Sequence, residues 1–219
     1  MTSSPRPTRT RKQPGERTAE IVQTSARIAL AEGLERITLR RVADELGVRP
    51  GLIGHYFPAA DDLVVAAFVH AATGERDALL PPAEAELPPA VLLARFLTRL
   101  TDGPYQDLSR LWLNARHLSR FKPGLRAAVR TQETVTRDAL TALIADGART
   151  GAFTTDDPLA AALHVLVAVD GLGAYANDDQ PFEHPALGDL ALTTAERVLG
   201  LAPGSLRALA SDPGGSPTR

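Results

Sequence analysis

Apolar residues recur along most of this chain at intervals of three or four positions, which is the spacing of one face of an α-helix. The first such stretch runs from Thr18 to Glu32, and its apolar positions are Ile21, Val22, Ala26, Ala29 and Leu30. Gly33 follows it and is suited to end a helix, because glycine readily adopts the backbone conformations found after a last turn. Runs of alternating apolar and polar residues, which form strands, are missing, so the pattern predicts an all-α fold.

Two short helices joined by a tight turn are predicted next. Thr38 suits the cap of the first, since its hydroxyl can accept a hydrogen bond from a free backbone N–H. The apolar stripe of this helix consists of Leu39, Val42, Ala43 and Leu46. Gly47 ends it, and Pro50 suits the first turn of a second helix that ends near Phe57. Such a pair is a helix-turn-helix, which places its second helix in the major groove of DNA, although helical proteins also contain such corners by accident.

The rest of the chain is predicted to be helical as well. A fourth helix starts around Leu63, with Asp61 as its cap. Further helices are predicted over residues 89–101, 105–120, 123–148, 157–177 and 186–199. We therefore expect about nine or ten helices in two parts. Residues 1–60 contain the helix-turn-helix of a DNA-binding domain, and residues 61–210 form a second, helical domain.

Charge is distributed unevenly between these two parts. Residues 1–57 hold ten Lys/Arg and six Asp/Glu, whereas residues 58–219 hold fourteen Lys/Arg and twenty Asp/Glu. A basic end on an acidic body is typical of a region that binds a polyanion, although an excess of this size also arises by chance. Residues 1–14 and 211–219 lack apolar periodicity and are predicted to be disordered tails.

Composition argues against several classes of function. The chain has no cysteine, which excludes disulfides, thiolate metal sites and a cysteine nucleophile. The five histidines are scattered, and the spacings of a zinc protease, a phosphate-binding loop or a hydrolase nucleophile are missing. We therefore predict no enzyme activity, no cofactor and no metal. No apolar run long enough to cross a membrane and no apolar signal segment is found, so a soluble, cytoplasmic protein is expected.

The helix-turn-helix segment resembles a known family. From about Arg17 to Phe68 the chain is similar to the DNA-binding domain of TetR-family transcriptional regulators. The resemblance rests on ITLRRVADELGV at residues 37–48, on GLIGHYF at residues 51–57 and on Asp62-Leu63. The His-Tyr-Phe ending, and the phrase VDGL at residues 169–172, are similar to the BetI-like branch of that family. The resemblance implies a homodimeric regulator, most often a repressor, that binds double-stranded DNA at a near-palindromic operator.

The resemblance also implies which residues contact DNA. Thr38 and Tyr56 match phosphate-contacting positions, since a hydroxyl can donate to a phosphate oxygen. Arg40 matches a basic position whose guanidinium can pair with a guanine edge. The complete predicted set is Thr38, Arg40, Arg49, Pro50, Gly51, Leu52, Gly54, His55 and Tyr56. A solvated helix face remains the alternative for Arg40 and Arg41, and a core position remains the alternative for Tyr56. A satisfied polar position at the end of a helix remains the alternative for His55.

One position departs from the family pattern. A lysine usually stands just before the fourth helix of these regulators, and this chain has Ala60 there. A phosphate anchor is therefore missing. We expect the basic N-terminal arm to compensate by reaching into a minor groove with Arg6, Arg9, Arg11 and Lys12. A leader segment without any contact to DNA is the alternative.

The helical body is predicted to supply a dimer interface. The helix over residues 157–177 is apolar nearly all round, and a helix without a polar face must be buried on several sides. Together with the helix over residues 186–199 it is expected to form a four-helix interface with a second subunit. The alternative is that this apolar helix is the central core of a single subunit.

A pocket for a small, mostly apolar effector is predicted next to the helix at residues 105–120, which mixes apolar and polar positions. The predicted contacts are Phe96, Trp112, Asn114, Arg116, His117, Phe121, His164 and Asp170. A plain core position for Trp112 and a surface position for His117 are the alternatives. Together these patterns predict a regulator that its effector releases from the operator. A DNA-binding regulator without an effector and a helical protein-interaction module remain alternatives.

Overall fold

A computed structural model describes residues 13–101, 105–177 and 184–211 of the chain. Within these ranges the chain forms eleven α-helices and no strand, which confirms the all-α prediction. The number exceeds the expected nine or ten because residues 186–199 are divided between two helices and a short helix follows them. The predicted basic arm from Arg6 to Lys12 and residues 212–219 of the predicted tail lie outside the described residues.

The helices follow one another with short connections. In chain order they are α1 (Pro14–Glu32), α2 (Leu39–Leu46), α3 (Pro50–Tyr56), α4 (Ala60–Leu79), α5 (Pro89–Thr101), α6 (Tyr105–Ser119), α7 (Pro123–Arg149), α8 (Pro158–Ala176), α9 (Pro185–Gly188), α10 (Leu190–Val198) and α11 (Ser205–Ser211). Single 3₁₀ turns at Leu34–Arg36 and Pro82–Glu84 lie in two of the connections.

The first helix begins one turn earlier than its apolar pattern predicts. Pro14 occupies its first position, where the missing N–H of proline is not needed. The backbone N–H of Gln13 donates to the Glu16 carboxylate at 3.1 Å, which satisfies one of the free donors at this end. The first turn of α1 is exposed and polar, so apolar periodicity could not reveal it.

The start of α4 also differs from the prediction, because the expected cap at Asp61 is wrong. The helix begins at Ala60, and Asp61 lies within its first turn. The Asp61 carboxylate pairs instead with the Lys122 ammonium at the beginning of α7. Asp157 does act as a cap, since its carboxylate accepts a hydrogen bond from the backbone N–H of Ala160 at 2.9 Å at the start of α8.

Two hydrophobic cores lie end to end along the molecule. The first joins α1, α2, α3 and α4 to the apolar sides of α6 and α7, with the fully buried Phe68 among its largest side chains. The second joins α5, α7, α8, α10 and α11. Because α4 and α7 are long and α6 contributes to the first core, residues beyond position 60 are part of the packing that holds α2 and α3 in place.

The second core contains one close approach that requires glycine. A Cβ at Gly147 of α7 would lie 2.1 Å from the ring of Phe153, well inside any permitted contact. Phe153 is buried against the helix and closes the turn between α7 and α8. Gly147 therefore allows the chain to fold back tightly onto α7.

The apolar helix α8 is only partly covered within a single subunit. Ala161, Ala162, Val165 and Val169 are buried in the second core. By length and composition alone, α8 is the one straight helix in the described ranges that could span a membrane, and 33% of the 18-residue stretch is buried. The burial on several sides that the sequence predicts is thus only partly reached without a further partner.

Candidate DNA-binding surface and effector cavity

The turn between α2 and α3 is closed by backbone hydrogen bonds around a left-handed glycine. Gly47 has φ 61° and ψ 38°, a conformation that costs glycine little. The Val48 N–H donates to the Ala43 carbonyl at 2.9 Å, and the Gly47 N–H donates to the Asp44 carbonyl at 3.2 Å. These two bonds make the Schellman arrangement that ends a helix sharply. Three residues therefore suffice to redirect the chain into α3.

The N-terminus of α2 is capped as the sequence predicts. The Thr38 hydroxyl oxygen accepts a hydrogen bond from the Arg41 N–H at 3.0 Å, and Thr38 is exposed. A hydroxyl that accepts in this way still has its own proton to donate. The cap geometry is thus compatible with a hydrogen bond from Thr38 to a phosphate oxygen.

The candidate DNA contacts lie along α3 and at the beginning of α2. Six of them are exposed, namely Thr38, Arg40, Arg49, Pro50, Gly51 and His55, and three are partly buried, namely Leu52, Gly54 and Tyr56. The chain bends by 74° between α3 and α4, so α3 projects away from the helix that follows it. The structure therefore brings the whole predicted set together around one short helix.

The two neighbouring arginines of α2 have different surroundings. The Arg40 side chain is 86% exposed and its only ion-pair contact in the described residues is with Asp44, at 3.9 Å. Arg41 instead pairs with Glu32 at 2.6 Å and with Glu45 at 2.7 Å. The hydrogen bond to Glu32 is the main cause that raises the pKa of Arg41, and the same bond lowers the pKa of Glu32. Arg41 thus ties α1 to α2, while Arg40 is available to a ligand.

Two glycines in α3 have no structural requirement inside the protein. A Cβ at Gly51 would meet no atom within 4 Å, and a Cβ at Gly54 would meet only Leu39 at 3.8 Å, an ordinary contact. Glycine inside a helix costs about 0.5–1 kcal/mol relative to alanine. Nothing in the part of the chain that the structure describes offsets this cost.

The aromatic end of α3 is shared between the surface and the core. Tyr56 and Phe57 are partly buried and both pack against the first core. The His55 and Tyr56 rings meet edge to face with centroids 5.3 Å apart. Tyr56 is therefore anchored in the core through its ring while part of it remains exposed, and its contact with DNA stays a prediction.

The net positive charge of the N-terminal region comes from residues that lie outside the described ranges. Residues 13–57 contain six Lys/Arg and six Asp/Glu, so this part is neutral overall. The excess noted in the sequence comes from Arg6, Arg9, Arg11 and Lys12. The described part of this region therefore has no net positive charge, although Arg40 and Arg49 are exposed cations within it.

A second candidate site is a cavity of about 290 Å³ in the helical body. It is lined by residues from the C-terminal half of α4 and from parts of α5, α6, α7 and α8. Phe96, Trp112, Arg116 and Asp170, which the sequence predicts as effector contacts, all line it. This size is suited to a small organic molecule.

The other four predicted effector contacts lie elsewhere. Asn114 is two residues from Trp112, a rotation of about 200° around a helix, and it faces the DNA-binding end. His117 and Phe121 are exposed and contact each other edge to face at 5.8 Å, and His164 is exposed on α8. The mixed character of α6 predicted a pocket but could not show which of its faces would line one.

The cavity also contains residues that the sequence analysis missed. Glu75 and Arg76 of α4, Glu133 and Arg137 of α7, and Leu163 and Val167 of α8 all belong to its wall. Glu75 had a detectable signal, because it follows the buried Phe68 and Ala71 at helical spacing and so places a carboxylate on the apolar face of α4.

Buried charge within the cavity is only partly compensated. The Trp112 indole N–H donates to the Glu75 carboxylate at 2.6 Å. Burial raises the pKa of Glu75, and the Trp112 hydrogen bond opposes that effect without cancelling it. The charges of Arg76 and Arg116 also lower the pKa of Glu75 and that of Asp170 raises it, but burial is the largest effect.

Arg116 is held far more firmly than Glu75. Its guanidinium donates to Glu133 and to Asp170, both at 2.9 Å, and lies 5.6 Å from the Trp112 ring centre. Burial acts to lower the pKa of Arg116, but the bonds to Asp170 and Glu133 outweigh it and the pKa is raised. The Arg116 guanidinium is thus paired with carboxylates of α7 and α8, and these ion pairs link both helices to α6.

Helix α6 connects the cavity to the DNA-binding end. On its other face the Asn114 amide oxygen accepts from the Leu34 N–H at 2.8 Å, and the amide nitrogen donates to Glu35 at 2.9 Å. Leu34 and Glu35 form the turn directly before Thr38 and α2. A displacement of α6 at the cavity would therefore reach the start of α2 through two hydrogen bonds.

An exposed helix-turn-helix mounted on a helical body that encloses a cavity defines a DNA-binding regulator. Residues 21–67 match the family model of bacterial regulatory proteins of the tetR family, and residues 89–200 match that of the BetI-type transcriptional repressor C-terminal domain. The second match alone covers more than half of the chain. The chain belongs to the TetR family of transcriptional regulators, with a BetI-type C-terminal domain, and is not an enzyme. Regulators of this family bind DNA as dimers and respond to small molecules.

Solved structures share the fold at low sequence identity. A transcriptional regulator from Saccharomonospora viridis in complex with choline is 19% identical, with TM-score 0.68 over 83% of this chain and 95% of its own. A TetR regulator from Haloarcula marismortui is 24% identical, with TM-score 0.69 over 85% and 97%. A TetR-family regulator from Streptomyces coelicolor is 25% identical, with TM-score 0.63 over 91% and 92%. A search of curated proteins gives no match.

Proposed function

We propose that this regulator is a cytoplasmic repressor that binds a near-palindromic operator and leaves it when a small organic molecule occupies the cavity. The observation that carries this proposal is α6, which lines the cavity with Trp112 and Arg116 and holds the turn before α2 with Asn114. One rigid helix thus contacts both sites. Ligand binding need only favour a position of α6 that the DNA-bound state does not allow.

The operator should reflect the symmetry of a dimer. Two identical α3 helices related by a two-fold axis read two half-sites about one helical turn of DNA, or a multiple of it, apart. Sequencing the DNA bound by the protein in cells tests this directly. Inverted half-sites support the proposal, whereas a single unrepeated site contradicts it.

The cavity chemistry favours an effector that combines apolar surface with a positive charge. Phe96, Leu166 and Val169 supply apolar wall, while Glu75 is the carboxylate whose charge is least compensated. Aromatic rings and carboxylates together bind organic cations well, because both attract positive charge in a site that excludes water. Choline bound to the S. viridis regulator, which has the same fold, supports this direction.

The required energetic coupling is modest. A difference of about 1–3 kcal/mol in ligand affinity between the DNA-bound and free states changes DNA affinity some 5- to 150-fold. A ligand that bound both states equally would not release the protein from DNA. The two hydrogen bonds that join Asn114 to Leu34 and Glu35 are the contacts through which such a difference would be transmitted.

A pair of nearly isosteric probes tests the cavity and its charge preference together. Choline and its neutral analogue 3,3-dimethylbutan-1-ol differ mainly in charge, and Trp112, the only tryptophan of the chain, reports binding by its fluorescence. We expect choline to change Trp112 emission and to weaken operator binding at concentrations where the neutral analogue does neither. The variant Glu75→Gln should remove that difference, while Glu86→Gln, an exposed control, should retain it.

Other outcomes of the experiment separate the alternatives. If neither probe acts but a broader screen finds neutral molecules that release DNA, the cavity is an effector site for apolar ligands and the charge assignment fails. If no molecule releases DNA, the body serves only dimerisation, and the effector part of the proposal is overturned.

A further inference from the structure

Helix α8 carries an apolar stripe that the described residues of this subunit leave uncovered. Leu159, Leu163 and Val167 follow one another at i, i+4 and i+8, and they are 44%, 45% and 68% exposed. With the exposed Ala174 this stripe, which we call the α8 stripe, extends for about 22 Å at 1.5 Å per residue. Asp170 is the only charged residue between positions 158 and 176, and its carboxylate is paired with Arg116.

Two members of the α8 stripe also form the wall of the effector cavity. Leu163 and Val167 line the cavity, as does Asp170 beside them. The residues at the opposite side of the cavity are buried, Phe96 at 2% and Leu100 at 4% exposure. The wall residues that are exposed, Leu163, Val167 and Asp170, all lie on α8, so the cavity opens at the α8 stripe.

We infer that a second copy of this chain seals the cavity, so that the effector lies between the two subunits rather than inside one. This inference rests on the proposed effector role of the cavity. Regulators of this family act as dimers, which supplies the second copy. An apolar stripe without unpaired charge is self-complementary across a two-fold axis, where the same surface faces itself.

Sealing by the partner would link effector binding to subunit geometry. A ligand at Leu163 and Val167 would touch the surface on which the second α8 rests. Any change in the angle between the two subunits changes the distance between their α3 helices. The subunit interface is therefore a second route by which ligand binding would affect operator binding, in addition to the route through α6.

Acrylamide quenching of Trp112 fluorescence tests the inference without any effector. Trp112 lines the cavity, so its access to a small neutral quencher reports whether the cavity is open. Leu159→Asp, if necessary combined with Ala174→Asp, places charge on the α8 stripe at positions outside the cavity wall. We expect these variants to be monomers by analytical ultracentrifugation, with unchanged helical circular dichroism and a Stern–Volmer constant severalfold above that of the wild-type dimer.

A matched control uses the same kind of substitution on another exposed apolar residue. Val135 on α7 is 39% exposed and does not line the cavity. Val135→Asp should remain a dimer with wild-type quenching. Diluting the wild type through its monomer–dimer transition gives an independent measurement, in which quenching should rise as dimers dissociate.

Each alternative result has a defined meaning. Equal quenching in the monomer and the dimer overturns the inference, because the partner then leaves the cavity open. Variants that stay dimeric overturn it as well, because the α8 stripe is then not the interface, and so does a wild-type monomer that binds phosphatidylcholine vesicles through α8. Failure of the proposed function looks different: the quenching change is present, but no added molecule releases DNA.

Discussion

The arginines of the DNA-binding surface and those of the cavity have the same side chain in opposite surroundings. Arg40 is 86% exposed with one distant acidic neighbour, whereas Arg116 is held by two carboxylates and Arg76 donates to the buried Gln132 at 2.9 Å. A cation in solvent gives up little when it meets phosphate or a base. A cation that is already paired must first break its existing bonds. The number of unpaired arginines at a site therefore predicts its affinity for an anion better than the total number of arginines does.

The same comparison supports the opposite charge preferences that we propose for the two sites. The DNA-binding surface offers unpaired positive charge to a polyanion. In the cavity Arg116 is paired with Glu133 and Asp170, while the Glu75 carboxylate has no ion pair in the described residues and accepts from the Trp112 indole N–H. Two sites with a similar share of arginine can therefore attract ligands of opposite charge.

The largest expected effect is on DNA recognition. Arg40→Ala should cost about 1–3 kcal/mol of operator affinity, because the lost contact is to one base, and should leave thermal stability unchanged. Titration of the operator and of a scrambled DNA gives both affinities. Arg149→Ala is a matched control, since Arg149 is 74% exposed and pairs with Asp146 three positions before it. Equal loss on both DNAs would show that Arg40 does not read a base.

A smaller effect is expected when a paired arginine of the cavity is removed. Arg116→Ala leaves Glu133 and Asp170 without their shared partner, and should lower the free energy of unfolding by about 1 kcal/mol, since the pairs are partly exposed. Denaturant unfolding measures this. Arg120→Ala, one turn further along and exposed without an ion pair in the described residues, should be nearly neutral. If both variants behave alike, the contrast between paired and unpaired arginines does not hold.

A substitution at Gly54 in α3 should change the stability of the fold and the affinity for DNA in opposite directions. Gly54→Ala places a methyl group at an ordinary 3.8 Å from Leu39, so the fold should gain about 0.5–1 kcal/mol from the better helix former. We expect operator affinity to fall, because the added methyl widens a helix whose backbone is proposed to lie close to DNA. Gly74→Ala in α4 is the control, with no atom within 4 Å, and should stabilise without changing DNA binding. Unchanged affinity in Gly54→Ala would place the DNA contact elsewhere on α3.

The smallest expected effect is a pH-dependent change in stability at the cavity. Burial raises the pKa of Glu75 above 4.5, so the folded state holds this proton more tightly than the unfolded state. The resulting cost to stability is absent below the unfolded pKa, appears as pH rises through the raised pKa and is complete above it. Glu75→Gln should therefore melt at a higher temperature than the wild type at neutral pH. The difference should vanish at a pH below 4.5, and a pH-independent difference would contradict the assigned cause.

The sequence by itself determined the local features of the DNA-binding end. The Thr38 cap, the Gly47 turn and the limits of α2 and α3 depend on residues close together in the chain, and each was predictable from its neighbours. The family resemblance rests on the same short segment. Local hydrogen bonds and backbone preferences decide such features, so a pattern of a few residues contains the necessary information.

Only the tertiary structure decided what the cavity contains. Four of the eight predicted contacts line it; Glu75 and Glu133 join them from α4 and α7, from which no contact was predicted, and Val167 joins them from α8. Asn114 and Trp112 are two positions apart, yet one holds the DNA-binding end and the other faces the cavity. A mixed helix such as α6 fixes the spacing of its side chains, but the packing of α4, α7 and α8 around it determines which side becomes a wall.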